Sequence, residues 1–339
     1  TMNQHILSEG NLLDKNGNLV EAGYSVSEVR RYNREAICHG KLRIKEWDYY
    51  YIGNDEIGIA LTIADNGYMS LVSASLMDFV TKEFTTDSEI KFFSLGKLGL
   101  PASSDSGVTK YESNRVKMSF GVDEDRILTC KFDKWGKQKQ TFECKILLSG
   151  KPESMVIATP FDKKGCFYYN RKINCLKAQG FYSLNGEKKP INGFGVLDWG
   201  RGVWTYSNTW YWSSLSCKSN DLTVGFNLGY GFGNTSAATE NMIFVNGKAY
   251  KVGNVVFQIP MIDKKYNYLS EWKIISDDGS VDLTFRPILD RKDCTSVLGL
   301  LKSDQHQVFG KFYGTLNTTE HSVVLDGQVG FAERVFNKW

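Results

Sequence analysis

The sequence lacks several features that would assign a protein class at once. Its 339 residues contain no apolar run near the roughly 20 residues that a membrane helix needs, so no membrane span is predicted. There are only 4 His and 7 Cys, with no C-x-x-C pair, which predicts neither a metal site nor a disulfide framework. The motifs G-x-S-x-G, G-x-x-x-x-G-K-[ST] and H-E-x-x-H are absent. We therefore expect reduced thiols and no cofactor.

An excess of charge of one sign is also lacking. The chain has 41 Lys and Arg against 38 Asp and Glu, a formal net charge of +3. Such near balance offers no basic platform, so nucleic acid is not a predicted partner. The N-terminal residues show no basic segment followed by an apolar one, which predicts a cytoplasmic protein. Nothing in the sequence indicates the oligomeric state.

Aromatic residues and glycine are abundant, whereas proline is scarce. The sequence has 20 Phe, 17 Tyr, 8 Trp and 32 Gly, but only 6 Pro. This mixture suits pleated strands joined by tight turns. Short apolar runs repeatedly end at Asn-Gly or Asp-Gly, and Asp65-Asn66-Gly67 between two such runs predicts a hairpin. The sequence therefore predicts an all-β protein.

The strand pattern predicts two antiparallel barrels or sandwiches packed together, with few short helices. We place the boundary near Gly165, which gives an N-terminal β domain over 1–165 and a C-terminal β domain over 166–339. Residues 25–37 could hold a short helix with Ser27 as its N-cap. The Gly- and Ser-rich segment 95–114 predicts a long loop.

The densest feature of the sequence is a group of four Trp within residues 199–212. Trp210 and Trp212 share a face of an extended strand, whereas 225–231 places a row of glycines and Asn227 on one face. If the indoles stand across from this glycine row, a flat apolar ligand fits between them. The same pattern is equally typical of a β core that accommodates large rings without a ligand.

Ionisable residues occur next to these aromatic segments. Asp198 and Arg201 lie in a Gly-flanked segment interpreted as a turn, where they either pair with each other or present charge to a pocket. Glu240 begins an apolar strand, either as its solvent-exposed first residue or as a buried carboxylate that needs a partner. His306 is either a hydrogen-bonded core residue or an acid–base group oriented by Asp304.

A set of spaced motifs resembles a known family. The motifs are FYYNRKIN, GVLDWGRGVW, WYW, GFNLGYGFG, ATENMIFVNGK, HQVFG and GFAERVFNKW. In this order they resemble the bacterial and fungal family known as domain of unknown function 2804. The resemblance implies a cytoplasmic, lipocalin-like β protein, distantly similar to carotenoid hydratases and fungal lipocalin-like Diels–Alderases. Proteins of that wider group bind apolar polyene or polyketide ligands and use a few polar side chains for protonation, hydration or cyclisation.

The family motifs indicate positions without giving them roles. They are Asp198, Arg201, Trp204, Trp210, Trp212, Asn227, Glu240, Asn241 and His306.

The leading hypothesis is a protein that encloses an apolar or aromatic small molecule, with Trp204, Trp210 and Trp212 as the wall and Asn227 and Asn241 as further contacts. Whether the protein is an enzyme stays open.

In a catalytic version of this hypothesis, Asp198 or Glu240 acts as general acid in a hydration, isomerisation or cyclisation, with His306 as a further acid–base candidate. Arg201 or Asn227 would stabilise the developing charge. The alternatives are a non-catalytic carrier that uses the same pocket, and a carbohydrate-active protein with Trp platforms and paired carboxylates.

Overall fold

The computed structural model describes residues 3–297 and 301–338, with side chains for 3–293 and 303–338. The side chain of Cys294 and the whole of Trp339 lie outside these ranges. The six described thiols are all free, and most of them are buried. The described helices are two single 3-10 turns, Arg34–Ala36 and Lys41–Arg43, and neither could cross a membrane. The rest of the regular structure is β, which confirms the predicted fold class.

Twelve strands form the first sheet, and a two-residue parallel pair lies beside it. Their bounds are β1 Gly10–Asn11, β2 Gly23–Ser25, β3 Arg30–Arg31, β4 Lys45–Gly53, β5 Ile57–Asp65, β6 Met69–Asp78, β7 Glu83–Phe92, β8 Gly107–Glu112, β9 Val116–Val122, β10 Arg126–Trp135, β11 Gln140–Ser149, β12 Met155–Pro160, β13 Phe167–Leu184 and β14 Glu187–Val203. The order is β7-β6-β5-β4-β14-β13-β11-β10-β9-β8, with β12 paired to β13 and β2 to β12, while β1 pairs with β3.

Nine strands form the second sheet. The remaining bounds are β15 Ser207–Ser219, β16 Leu222–Tyr230, β17 Met242–Val245, β18 Lys248–Lys251, β19 Val255–Gln258, β20 Met261–Ile262, β21 Lys265–Tyr266, β22 Trp272–Ser276, β23 Val281–Val297, β24 Leu301–Asn317 and β25 Ser322–Lys338. The order is β18-β17-β16-β15-β25-β24-β23-β22-β19, and β20 with β21 makes a separate small hairpin.

Each sheet curls into a half-barrel around a core of its own. In β10, Leu128, Cys130 and Phe132 alternate with more exposed residues and face the interior of the first curl. Phe226 and Phe312 meet inside the second curl with ring centroids 5.1 Å apart. Full burial of such a side chain contributes about 1.5–3 kcal/mol, so each curl has a substantial core.

The two sheets pack against each other through their outer faces. Tyr51 of the first sheet contacts Phe309 and Phe331 of the second, with centroids 5.3 and 5.6 Å apart. A bulge in β13, with Cys175 at φ 62°, adds a polar link beside this core. There the buried Asn174 Nδ2 donates hydrogen bonds across to the second sheet, which fixes the spacing of the two sheets.

The local predictions from the sequence have different outcomes. The hairpin at Asp65-Asn66-Gly67 is confirmed, because β5 and β6 pair in register on either side of it. The helix over 25–37 is wrong, because Arg30–Arg31 is extended and pairs with β1, and the helical part of the segment is only the turn Arg34–Ala36, capped by Asn33. The loop over 95–114 is shorter than predicted, because β8 begins at Gly107.

The chain passes from the first sheet to the second at residues 204–206, between the end of β14 and the start of β15. Strands β13 and β14 follow the predicted boundary near Gly165 but belong to the first sheet. The segment around Asp198 is also not a turn, because 187–203 runs as one long strand. The division of the chain into two domains stays a prediction.

Candidate functional site

A cavity of about 1110 Å³ lies between the outer faces of the two sheets. Its inner part is lined by aromatic and ionisable side chains, namely Trp47, Tyr49, Tyr168, Lys172, Asp198, Trp204, Trp210, Trp212, Phe232, Glu240, Arg291, Gln307 and Glu333. Exposed residues of β7 and of the turn between β10 and β11, such as Phe84 and Lys137, line its outer part. The cavity therefore connects a buried, chemically mixed interior to the surface.

Strand alternation explains why these side chains face the same space. Tyr168 and Lys172 stand an even number of residues apart on β13, so they project from the same face of the first sheet. Asp198 is the register partner of Lys172 across the β13–β14 pair. In the second sheet, Trp212 and Glu333 are register partners in β15 and β25, and their face is turned toward the first sheet.

Lys172 is the cation at the inner end of the cavity. Its Nζ lies 3.3 Å from Asp198 Oδ1 and 3.8 Å from Glu240 Oε2, and 3.9 Å from the centroid of the Trp212 ring. The residue is 3% exposed, so two carboxylates and an aromatic face replace its hydration shell.

Asp198 is held by several donors besides Lys172. Its Oδ1 accepts a hydrogen bond of 2.6 Å from Asn170 Nδ2, and its Oδ2 accepts one of 3.2 Å from Trp47 Nε1. Because both carboxylate oxygens have partners, the group is fixed in one orientation beside Lys172.

Glu333 is a second carboxyl group at the cavity, on the side formed by the second sheet. Its Oε1 accepts a hydrogen bond of 3.1 Å from Trp210 Nε1, and its Oε2 accepts one of 3.1 Å from Gln307 Nε2. Burial raises the pKa of Glu333 to about 7, against the hydrogen bond from Trp210 and the positive charges of Lys172 and Arg291, which lower it. Near neutral pH this carboxyl group therefore exists in both protonation states.

Glu240 is the third carboxyl group, and it lies just before β17. Burial raises its pKa, although the nearby Lys172 opposes the shift. Asn227 Nδ2 donates a hydrogen bond of 2.8 Å to the Glu240 backbone carbonyl and lies 3.5 Å from its Oε2. A Cβ at Gly229 would lie 2.4 Å from Glu240 Oε1, so the glycine provides the space in which this carboxyl group sits.

The aromatic rings form one connected wall. Trp47 stacks on Tyr168 with centroids 6.0 Å apart and an interplanar angle of 15°, and it meets Trp204 edge-on at 5.4 Å. Phe232 contacts Tyr168, Trp204 and Trp210 at 4.8, 5.3 and 5.2 Å. The wall is thus built from both sheets and from the segment that follows β16.

The predicted apposition of Trp strand and glycine strand is wrong in its geometry. β15 and β16 are hydrogen-bonded neighbours in the same sheet, with Trp212 directly paired to Gly229. Trp212 Nε1 donates a hydrogen bond of 2.7 Å to Asn227 Oδ1 within that sheet. The open space lies between the Trp residues and the first sheet instead.

The structure brings five of the predicted site residues to the cavity. They are Asp198, Trp204, Trp210, Trp212 and Glu240.

Asn227 and Asn241 stand behind these residues and hold them. Asn227 fixes Trp212 and Glu240, while Asn241 Oδ1 accepts a hydrogen bond of 2.7 Å from the Gly229 N–H.

Arg201 is not brought to the cavity. It stands three residues after Asp198 on one strand, so its side chain projects from the opposite face of the first sheet. There its Nη1 lies 3.0 Å from Asp48 Oδ1 and donates to the Trp47 carbonyl, and the residue is completely buried. Pairing of Asp198 with Arg201, one of the two alternatives, does not occur, because the two side chains lie on opposite faces of β14.

His306 also lies on another face, inside the curl of the second sheet. Its Nδ1 is 2.6 Å from Asp290 Oδ2, and its Nε2 is 3.4 Å from Asp304 Oδ1. The ring stacks on Tyr268 with centroids 3.7 Å apart. The expected contact with Asp304 is therefore present, but it lies away from the cavity between the sheets.

Sequence reasoning missed Lys172, Glu333, Trp47 and Tyr168. Glu333 lies in the run FAERVF with Phe331 and Val335 on the same strand face, which is the signal that singled out Glu240. Lys172 lies in FYYNRKIN beside other polar residues, so the sequence alone does not distinguish it. Trp47 and Tyr168 required knowledge that β4, β14 and β13 are neighbours.

Within the described ranges, no group of three or more His, Cys, Asp and Glu side chains is arranged to hold a metal ion.

The fold has relatives among solved structures. A candidate AttH protein from Nitrosomonas europaea superposes with a TM-score of 0.53 at 11% identity, covering 93% of this chain and 98% of its own. CghA with Sch210972 gives 0.51 at 8% identity, covering 98% and 97%. Kievitone hydratase from Nectria haematococca gives 0.50 at 13% identity, covering 92% and 97%. At these identities the likeness shows a common lipocalin-like fold.

Sequence comparison gives a more specific assignment. The model of a family described as Domain of unknown function (DUF2804) matches residues 3–339, which confirms the resemblance drawn from the motifs. No curated protein matches the sequence.

Proposed function

We propose that the chain, which belongs to the DUF2804 family, binds a flat apolar or aromatic small molecule between its sheets and performs cofactor-free acid–base chemistry on it. The observation that carries this proposal is a cavity of about 1110 Å³ whose aromatic wall surrounds the buried carboxyl group of Glu333. Small-molecule sites typically enclose roughly 300–1,000 Å³ and combine apolar walls with a few placed polar groups. This cavity slightly exceeds that range, because its outer part opens to the surface, and it has the same combination of apolar walls and a few polar groups.

Binding depends on the aromatic wall of Trp47, Trp204, Trp210 and Phe232. These rings contact each other edge-on, and the contacts fix their orientation toward the cavity before a ligand binds. Tyr168 adds a polar contact, because burial and the neighbouring carboxyl groups raise its pKa and keep the hydroxyl neutral. A neutral phenol in an apolar wall donates a hydrogen bond to a ligand oxygen.

Glu333 is the acid that the geometry favours. A general acid works best when its pKa lies near the working pH, and Glu333 meets this condition. Asp198 has a different role, because its Oδ1 lies 3.3 Å from the ammonium group of Lys172 and both of its oxygens are held by Asn170 and Trp47 as acceptors. Its role in the proposal is to hold negative charge beside Lys172 and close to the reacting part of the ligand.

The proposed step begins with neutral Glu333, which gives its proton to a double bond or a ring oxygen of the ligand. The Glu333 carboxylate so formed is stabilised by hydrogen bonds from Trp210 and Gln307. The cationic ligand is stabilised by Asp198 and by the indole faces.

The cation can then react in three ways. Water adds its oxygen and releases a proton, an adjacent carbon loses a proton, or a second double bond closes a ring and a proton is lost. In each case the released proton returns to Glu333, so hydration, isomerisation and cyclisation all balance without a cofactor.

The structural relatives support a small-molecule role. One solved relative is a complex with Sch210972, and another is named as a hydratase. The Glu333 arrangement described here is argued from this chain alone.

Binding is tested by titrating the protein with 2-naphthamide, an uncharged flat aromatic probe, in a calorimeter. We expect saturable binding to the wild type, weakened about tenfold or more in Phe232→Ala, because this ring contacts three other rings of the aromatic wall. Phe92→Ala, at a Phe of β7 that is 71% exposed and lies outside the lining of the cavity, serves as the control. Absence of binding, or equal affinity in Phe232→Ala, would contradict the proposal.

Acid catalysis is tested with trans-chalcone in D₂O and H₂¹⁸O, with mass spectrometry to detect added water or exchanged protons. Loss of a general acid lowers the rate by roughly 10²–10⁴-fold, which we expect for Glu333→Gln with binding retained. Glu187→Gln changes an exposed carboxyl group and is the matched control. Bound chalcone recovered unaltered from the wild type would support the carrier function instead.

A further inference from the structure

Arg291 in β23 lines the cavity on the side of Glu333. Its Nη1 donates a hydrogen bond of 3.0 Å to Ser75 Oγ of the first sheet. Its Nε and Nη2 both donate to Gln307 Oε1, at 3.0 and 2.5 Å. The guanidinium group is thus held between the two sheets in a fixed position on the cavity wall.

The positive charge of Arg291 has no carboxylate partner among the described residues. Arg291 takes part in none of the ion pairs among the described residues. The other cation of the inner cavity, Lys172, lies against Asp198 and Glu240. A guanidinium group has five N–H donors, and the three hydrogen bonds above leave two of them without an acceptor in the described ranges. A half-buried cation with free donors is a binding group for an anion.

Gln307 relates Arg291 to the acid. Its Oε1 accepts from Arg291, and its Nε2 donates a hydrogen bond of 3.1 Å to Glu333 Oε2. One amide therefore separates the guanidinium group from the carboxyl group. A ligand atom bound to Arg291 would lie a short distance from the proton of Glu333, with the aromatic wall available for the rest of the molecule.

On the basis of the function proposed above, we propose that Arg291 anchors a planar oxyanion of the ligand, a carboxylate or an enolate. The substrate class is then an apolar or aromatic molecule with one acidic group, inserted with its rings against the aromatic wall. The fork of N–H donors matches two oxygens of a carboxylate or of a 1,3-dicarbonyl enolate, and this match favours an anion over a neutral carbonyl.

The test compares 2-naphthoate with 2-naphthamide, which have the same rings and differ in charge. In the wild type we expect naphthoate to bind about tenfold or more tightly than naphthamide, with a preference that falls as salt is raised. Arg291→Gln should remove the preference, so that naphthoate and naphthamide bind this variant with similar affinities. Lys311→Gln removes one exposed positive charge elsewhere and should leave the preference intact.

The outcomes separate this inference from the proposed function. If naphthamide binds but naphthoate shows no preference, or if the preference survives in Arg291→Gln, the anchor is refuted and the binding function stands. If neither probe binds the wild type, both proposals fail. Arg291→Lys keeps the charge but loses the fork, so partial retention of the preference supports the anchor even if Arg291→Gln does not fold.

Discussion

The buried carboxyl group of Glu333 should make the stability of the protein depend on pH in a predictable direction. The perturbation is Glu333→Gln, which keeps the shape of the side chain and removes its titration. In the folded protein the group is 4% exposed and burial raises its pKa from 4.5 to about 7. Since the folded state holds this proton more tightly than the unfolded chain, the wild type should lose stability as the pH rises.

The size of the effect follows from the two pKa values. Raising the pKa of this carboxyl group from 4.5 to about 7 corresponds to about 3 kcal/mol of stability, which is lost as the pH rises from about 4.5 through about 7. Between about pH 5.5 and 8.5 the part of this loss that can be measured is about 2 kcal/mol. The groups that face Glu333 and contribute to its titration are Lys172, Asp198, Arg291 and Trp210.

The substitution Glu333→Gln also changes hydrogen bonding, which adds a pH-independent difference to the free energy of unfolding. Trp210 can still donate to the oxygen of the new amide, but Gln307 Nε2 then meets an NH₂ group where it now donates to Glu333 Oε2. One unsatisfied donor costs roughly 1–3 kcal/mol. Because this cost does not depend on pH, the difference in slope between the two proteins reports the carboxyl group alone.

Urea unfolding followed by tryptophan fluorescence at several pH values is the assay. The free energy of unfolding of the wild type should fall by about 2 kcal/mol relative to Glu333→Gln between about pH 5.5 and 8.5. Glu187→Gln, at a carboxyl group that is 77% exposed, should follow the wild type. Parallel pH profiles of the wild type and Glu333→Gln would refute the raised pKa and with it the choice of Glu333 as acid.

Two further substitutions test how the site is built. Gly229→Ala places a methyl group 2.4 Å from Glu240 Oε1, so the affinity for 2-naphthamide should fall and the free energy of unfolding should decrease by about 1–3 kcal/mol. Gly40→Ala, which has open space around it, should change neither the calorimetric titration nor urea unfolding. Asp48→Asn leaves the buried guanidinium of Arg201 without its carboxylate and should cost about 3–5 kcal/mol in urea unfolding, and a cost below about 1 kcal/mol would show that the pair is dispensable.

The fold was largely predictable because its signals are local. Tight turns such as Asp65-Asn66-Gly67 fix which strands pair, and alternation in strands such as β10 fixes which face is buried. The position at which the chain passes from the first sheet to the second is harder to predict from the sequence. β13 and β14 are long enough to pair with β11 and β12 on one side and β4 on the other, and this choice depends on contacts between distant segments.

The site was predictable in composition but not in geometry. The segment 198–212 was identified because aromatic and ionisable residues are close in sequence, and three of its Trp residues and Asp198 do reach the cavity. Arg201 was assigned to the same place since a turn was expected, and a continuous strand sends it to the opposite face. Glu333 was missed because its partners Trp210 and Gln307 come from two other strands.

The glycines of β16 make room for side chains of the protein itself. Its open face was expected to hold a ligand, yet the space beside Gly229 is occupied by Glu240, and the space beside Gly225 by Asn174 and Cys175. Removal of side-chain volume there lets a carboxyl group and a bulge from the first sheet approach the second sheet closely. Glycine in this strand therefore positions the groups that surround the cavity, whereas the cavity itself exists because the two outer faces are held apart by large rings.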